Sequence, residues 1–127
     1  MTAENKVRLA RMVESGEDVL EYAREGRKAF LTDRKLQDAV MWRLSNFTEE
    51  ADKLWRVLAR DNPRIDWREL SRLRQDYHHG YASIRPEDVW EFIARRLPLL
   101  VSQLRQARVK PKVPRGRGAV SAEDESA

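Results

Sequence analysis

The 127-residue sequence has no cysteine, two histidines, five glycines and five prolines, and only 8% of its residues are aromatic. Without cysteine there is no disulfide, no thiolate zinc site and no cysteine nucleophile. The two histidines, His78 and His79, are neighbours; on a helix they diverge by about 100° and cannot face one ion together, so no metal centre is expected. No Gly-rich phosphate loop, His-Glu-x-x-His, Gly-x-Ser-x-Gly or EF-hand pattern is found, and no cofactor is expected. Long apolar runs are missing too. The longest, Leu97-Pro98-Leu99-Leu100-Val101, is five residues with a proline inside it, against the ~18 that a membrane span needs. Met1 to Lys6 form no apolar signal segment, so a cytoplasmic protein is expected.

Charge is what the chain has in abundance. Charged residues make up 36%, and 25 Lys+Arg against 21 Asp+Glu give a net charge of +4. With 41% hydrophobic residues, one packed domain is the expected organisation at this length. The basic balance suggests a nucleic-acid partner, but its placement weakens that reading. Residues 108–127 hold five Lys/Arg and three Asp/Glu, so half of the net charge sits there. Lys110-Pro111-Lys112-Val113-Pro114-Arg115-Gly116-Arg117-Gly118 has no apolar periodicity, and 108–127 reads as a disordered basic-then-acidic tail. It suits a phosphate backbone, an acidic partner or simple solubility.

Residues 1–107 read as an all-α, antiparallel up-and-down bundle of four main helices, with room for a fifth short one. The first helix spans about Ala3 to Arg24, with Leu9, Met12, Val13, Val19, Leu20 and Ala23 on one face. Gly16 interrupts it at about 1 kcal/mol relative to Ala. The second opens at Asp33, a good N-cap, and runs to about Arg60 on the stripe Leu36, Val40, Leu44, Phe47, Ala51, Leu54 and Leu58. Asn62-Pro63 breaks it. Asp66-Trp67-Arg68-Glu69 reads as a capping box for the third helix, which carries Leu70, Leu73 and Tyr77 inward and ends at Gly80. The fourth starts at Pro86 and continues through Val89, Ile93, Leu97, Leu100 and Leu104, with a kink expected at Pro98.

The chemistry concentrates at the end of the third helix. Arg72-Leu73-Arg74-Gln75-Asp76-Tyr77-His78-His79-Gly80-Tyr81 holds both histidines, two arginines and two tyrosines. Histidine exchanges protons near neutral pH, and arginine offers a planar fork of donors to phosphate. Together they suffice to cleave a phosphodiester. The competing reading is an ordinary helix C-terminus, whose cations interact with the carbonyl dipole, with Tyr77 in the core. Arg74 and His78 share a face, while Arg74 and His79 differ by roughly 140°. A second copy across a two-fold axis could bring the latter pair onto one phosphate.

In this stretch the chain resembles the HepT-like branch of the HEPN superfamily, whose signature is Arg, four to six residues, His, one residue, Tyr. Arg74, His79 and Tyr81 meet it, and Arg72 also fits the loose spacing. The resemblance covers about residues 6–105, taking in Arg8 to Met12, Asp38-Ala39-Val40, Glu49, Ile65-Asp66-Trp67, Ile84, Val89-Trp90 and Leu97 to Leu100. The chain departs from the family pattern at Gln75, where asparagine is usual, and at Thr48, where glycine is frequent.

The resemblance implies a homodimeric, metal-independent endoribonuclease using the ribose 2′-OH as nucleophile. It would be the toxin of a type VII-like HepT/MntA toxin–antitoxin pair. His79 would be the acid/base and Arg74 the phosphate ligand, with Arg72, Gln75 and His78 supporting. The implied partner is an MntA-like nucleotidyltransferase antitoxin that silences the toxin by AMPylation of Tyr81. A non-catalytic HEPN-type module that dimerises and binds RNA or such a partner is the alternative. Glu49 reads either as a support for the motif arginine or as a surface charge, and Asp76 as a solvated residue or an orienter of Arg72. Trp42, Trp55, Trp67 and Trp90 read as core or dimer-interface residues, with base stacking as the other option.

Overall fold

The computed structural model describes residues 2–80 and 84–107. Tyr81 and the 108–127 tail, both singled out above, lie outside the described residues. Helix α1 (Ala3–Tyr22) opens at Thr2, whose hydroxyl accepts from the Asn5 amide at 3.1 Å. Its expected last turn, Ala23–Glu25, tightens into a 3-10 turn, a common helix ending. Then comes α2 (Arg27–Thr32), the short fifth helix, which buries Phe30. Asp33 caps α3 (Arg34–Leu58), accepting from the Lys35 and Leu36 amides at 3.0 and 3.2 Å.

All seven residues of the α3 stripe are buried, as the 3.6-residue period requires. Met41 and Thr48 are buried as well, because α3 is covered by α1 on one side and α4 on another. Ion pairs Arg8–Glu50 and Asp18–Arg43 show α1 and α3 running antiparallel. Gly16 has a packing role that helix propensity alone does not reveal. A Cβ there would stand 2.7 Å from Val101 Cγ2 and 3.0 Å from the Phe47 ring. The missing side chain lets α1 approach α3 and the C-terminal helix closely.

Asn62 turns the chain after α3, donating from its side chain to the Leu58 carbonyl at 2.9 Å. Asp66 caps α4 (Trp67–His79), accepting from the Glu69 amide at 3.0 Å. The Glu69 carboxylate, which a capping box would turn back toward the cap, accepts from Arg96 at 3.0 and 3.1 Å. It therefore clamps α4 to the C-terminal segment. That segment is α5 (Pro86–Glu91), a π-helical turn (Phe92–Arg96) and α6 (Leu97–Arg105). The expected kink takes the form of this wide turn, in which the Leu97 N–H donates to the Phe92 carbonyl. Pro98 has no N–H with which to continue the α-helical ladder.

The result is an all-α bundle, with no strand among the described residues. Its core joins Met12, Val19, Phe47, Leu54, Leu70, Ile93, Leu97 and Leu100 from every long helix. Trp67 and Trp90 are half-buried against that core, Trp90 lying 5.8 Å from the Phe30 ring. Trp42 and Trp55 are 63% and 43% exposed, so neither belongs to the core of the chain. No helix among the described residues is long and apolar enough to cross a membrane.

Candidate functional site on α4

Helix α4 has three kinds of face. Leu70 is buried, and Tyr77 packs partly buried on the core, which fixes the rotation of the helix. That rotation turns Arg74 and His78, four residues apart, toward α3. Arg74 Nε donates to Glu49 Oε2 at 3.1 Å, and His78 Nε2 meets the same oxygen at 2.8 Å. Asp52, one turn further along α3, stands 3.8 Å from Arg74 Nη1. The Glu49 carboxylate is held below the ordinary carboxylate range, chiefly by the His78 hydrogen bond and then by Arg74, against partial burial.

Arg72, Gln75, Asp76 and His79 are exposed. At 100° per residue, Arg72 and His79 lie on one stripe about 10.5 Å apart along the axis, with Gln75 and Asp76 between them. His79 is the last residue of α4, and Gly80 follows with φ +140°. That conformation suits glycine, ends the helix and leaves His79 at its solvent-facing tip.

The structure therefore brings together Arg74 and His78 but not Arg74 and His79 within one chain. Glu49 supports the arginine, one of the two roles its sequence position allowed. By occupying Nε, it orients the guanidinium, whose terminal nitrogens, Nη1 standing 3.8 Å from Asp52, form the edge that can meet an anion. Two basic side chains of phosphate-binding type and two imidazoles are thus presented at one end of one helix. Chemically, the set can bind a phosphodiester and move a proton beside it. Among the described residues, no three His, Asp or Glu side chains are grouped as metal ligands.

Sequence reasoning missed Asp52 as a partner of Arg74. Its signal was the i, i+3 spacing of Glu49 and Asp52, which sets two carboxylates along one border of the α3 stripe. It also missed the concave strip between α3 and α4 that Arg74 lines, a cavity of about 450 Å³ with Trp55 and Trp67 among its walls.

A family model described as "Ribonuclease HepT-like" matches residues 12–107. A protein of Thermococcus cleftensis named "Probable ribonuclease HepT" is 29% identical over 79 residues, covering 62% of this chain and 72% of that protein. A putative RNase of Methanocaldococcus jannaschii is 24% identical over 96 residues, covering 75% of this chain and 79% of that protein. No solved structure matches.

Proposed function

The chain belongs to the HepT-like ribonuclease family, and from that premise we propose that it is a metal-independent endoribonuclease acting as the toxin of a toxin–antitoxin pair. The observation that carries the reading is the end of α4: Arg74 anchored on Glu49, with His79 exposed at the helix tip. Arg74, with Arg72 as a second cation, binds the non-bridging oxygens of the scissile phosphate and stabilises charge as the phosphorus becomes five-coordinate. The ribose 2′-oxygen attacks phosphorus and loses its proton, the bond to the 5′-oxygen breaks, and that oxygen gains a proton. The products are a 2′,3′-cyclic phosphate and a free 5′-hydroxyl. His79 serves these proton transfers, with His78 and Gln75 as polar support.

Because Arg74 and His79 point apart on α4, the site is completed by a second copy of the chain. The dimer sets Arg74 of one copy beside His79 of the other. The proposed antitoxin is a nucleotidyltransferase that acts on Tyr81, two residues beyond His79. The tyrosine oxygen gives up its proton and attacks the α-phosphorus of ATP, the bond to the β-phosphate breaks, pyrophosphate leaves, and AMP remains attached. Its charge and bulk then repel and exclude RNA phosphate. The setting proposed for this pair is the cytoplasm.

The test is cleavage of a mixed RNA substrate in the presence of a chelator by the wild type, Arg74→Ala and His79→Ala. Loss of acid–base assistance should lower the rate by about 10²–10⁴ in His79→Ala, with Arg74→Ala similarly impaired and both variants folded. RNA binding without cleavage by the wild type would make the chain a binding module instead.

A further inference from the structure

The cavity between α3 and α4 adjoins the phosphate-binding arginine but plays no part in the chemistry above. We propose that it is a nucleobase subsite selective for guanine, seating the base next to the phosphate that Arg74 holds; this rests on the RNA-cleaving reading. Its floor is apolar, with Ala51 and Leu70 buried, and its volume of about 450 Å³ lies within the usual range for a small-molecule site. Two indoles wall it. Trp67 is fixed by donating Nε1–H to the Asn62 carbonyl at 3.3 Å, and Trp55 carries the Arg56 guanidinium 5.2 Å from its ring centroid. A planar base stacking on an exposed indole of this kind gains binding whatever its sequence.

Selectivity comes from Asp52, a half-exposed carboxylate that lines the cavity and only accepts hydrogen bonds. Guanine is the RNA base whose N1–H and N2–H stand side by side, matching the two carboxylate oxygens. Adenine and cytosine set one amino group beside an acceptor nitrogen, and uracil flanks its N–H with two carbonyls.

Charge favours an anionic occupant over a second copy of the chain. Among the described residues, the lining holds Arg68 and Arg74 with Asp52, Arg74 is also paired with Glu49 behind it, and Arg56 stands on Trp55, which leaves the positive charge in excess. Across a two-fold axis these arginines would face their own copies. A nucleotide brings the complementary phosphate.

The experiment titrates the full chain with 5′-GMP, 5′-AMP, 5′-CMP and 5′-UMP, comparing wild type, Trp55→Ala, Trp55→Phe and Asp52→Asn. Circular dichroism checks folding, and sedimentation checks association. Tenfold or tighter binding of GMP over UMP is expected. Trp55→Ala should weaken GMP by about tenfold or more, Trp55→Phe should largely retain it, and Asp52→Asn should abolish the preference for GMP. Equal binding of all four nucleotides, or GMP binding indifferent to Trp55→Ala, overturns the subsite. So does a Trp55→Ala effect on self-association alone, which would make the cavity a chain–chain interface. Because nucleotide binding is read without turnover, GMP selection by a chain that cuts no RNA would sink only the nuclease reading. Cleavage without base selection would sink only the subsite.

Discussion

At the scale of single residues, Glu49 organises the site. One of its oxygens accepts from both Arg74 and His78, which is why the carboxylate stays ionised below its ordinary range. The sign of the consequence follows from linkage. As pH falls, the unfolded chain takes up the Glu49 proton first, so the contribution of the ionised Glu49 carboxylate to stability is present at neutral pH. It fades as pH drops through the ordinary carboxylate range toward the depressed folded value. Thermal melts between pH 7 and pH 3 should show a smaller acid loss in Glu49→Gln than in the wild type. The difference should be modest, since the partners are partly solvated, and parallel curves would show that Glu49 has no such role. The shared face of Arg74 and His78 was readable from their i, i+4 spacing alone. Glu49 was open in the sequence as a support for the arginine or a surface charge, but that one of its oxygens also meets His78 was not legible, because spacing does not set the register between two helices.

Elements were legible where their signals are local. Asp33 and Asp66 cap α3 and α4 as their side-chain chemistry dictates, and the α3 stripe buries every residue that its period selects. Gly16 was not legible in this way. Read locally it weakens a helix, whereas in the fold it removes a clash with Val101 and Phe47. Gly16→Ala should therefore destabilise by about 1–3 kcal/mol despite alanine's better helix propensity. Urea unfolding would measure it. Val101→Ala in the same chain should recover part of the loss, since the two sites share one space. A Gly16→Ala variant as stable as the wild type would show that the helices can part without cost. The π-helical turn before Pro98 was half visible: proline announces an interruption, but which hydrogen bond replaces the missing one depends on how α5 and α6 pack.

For the whole molecule, net charge is a weaker guide than placement. The tail supplies half of the +4, so residues 1–107 are nearly balanced, while arginines and both histidines crowd one end of α4. Leu70 and the Glu69–Arg96 clamp fasten the first turns of α4, and Tyr77 with the Glu49 contacts to Arg74 and His78 fastens its far end. The helical period sets Arg74 and His79 on different sides of α4 within a chain, and with it the central claim that the working site spans two copies. Mixing Arg74→Ala with His79→Ala tests this most directly. In a mixed dimer one site loses both groups and the other keeps both. A one-to-one mixture that exchanges freely should therefore regain about a quarter of wild-type RNA cleavage, because half of the dimers carry one intact site of two. Recovery toward that level from two nearly inactive variants is the predicted result. Activity no greater than the average of the separate variants, with subunit exchange verified, would contradict it.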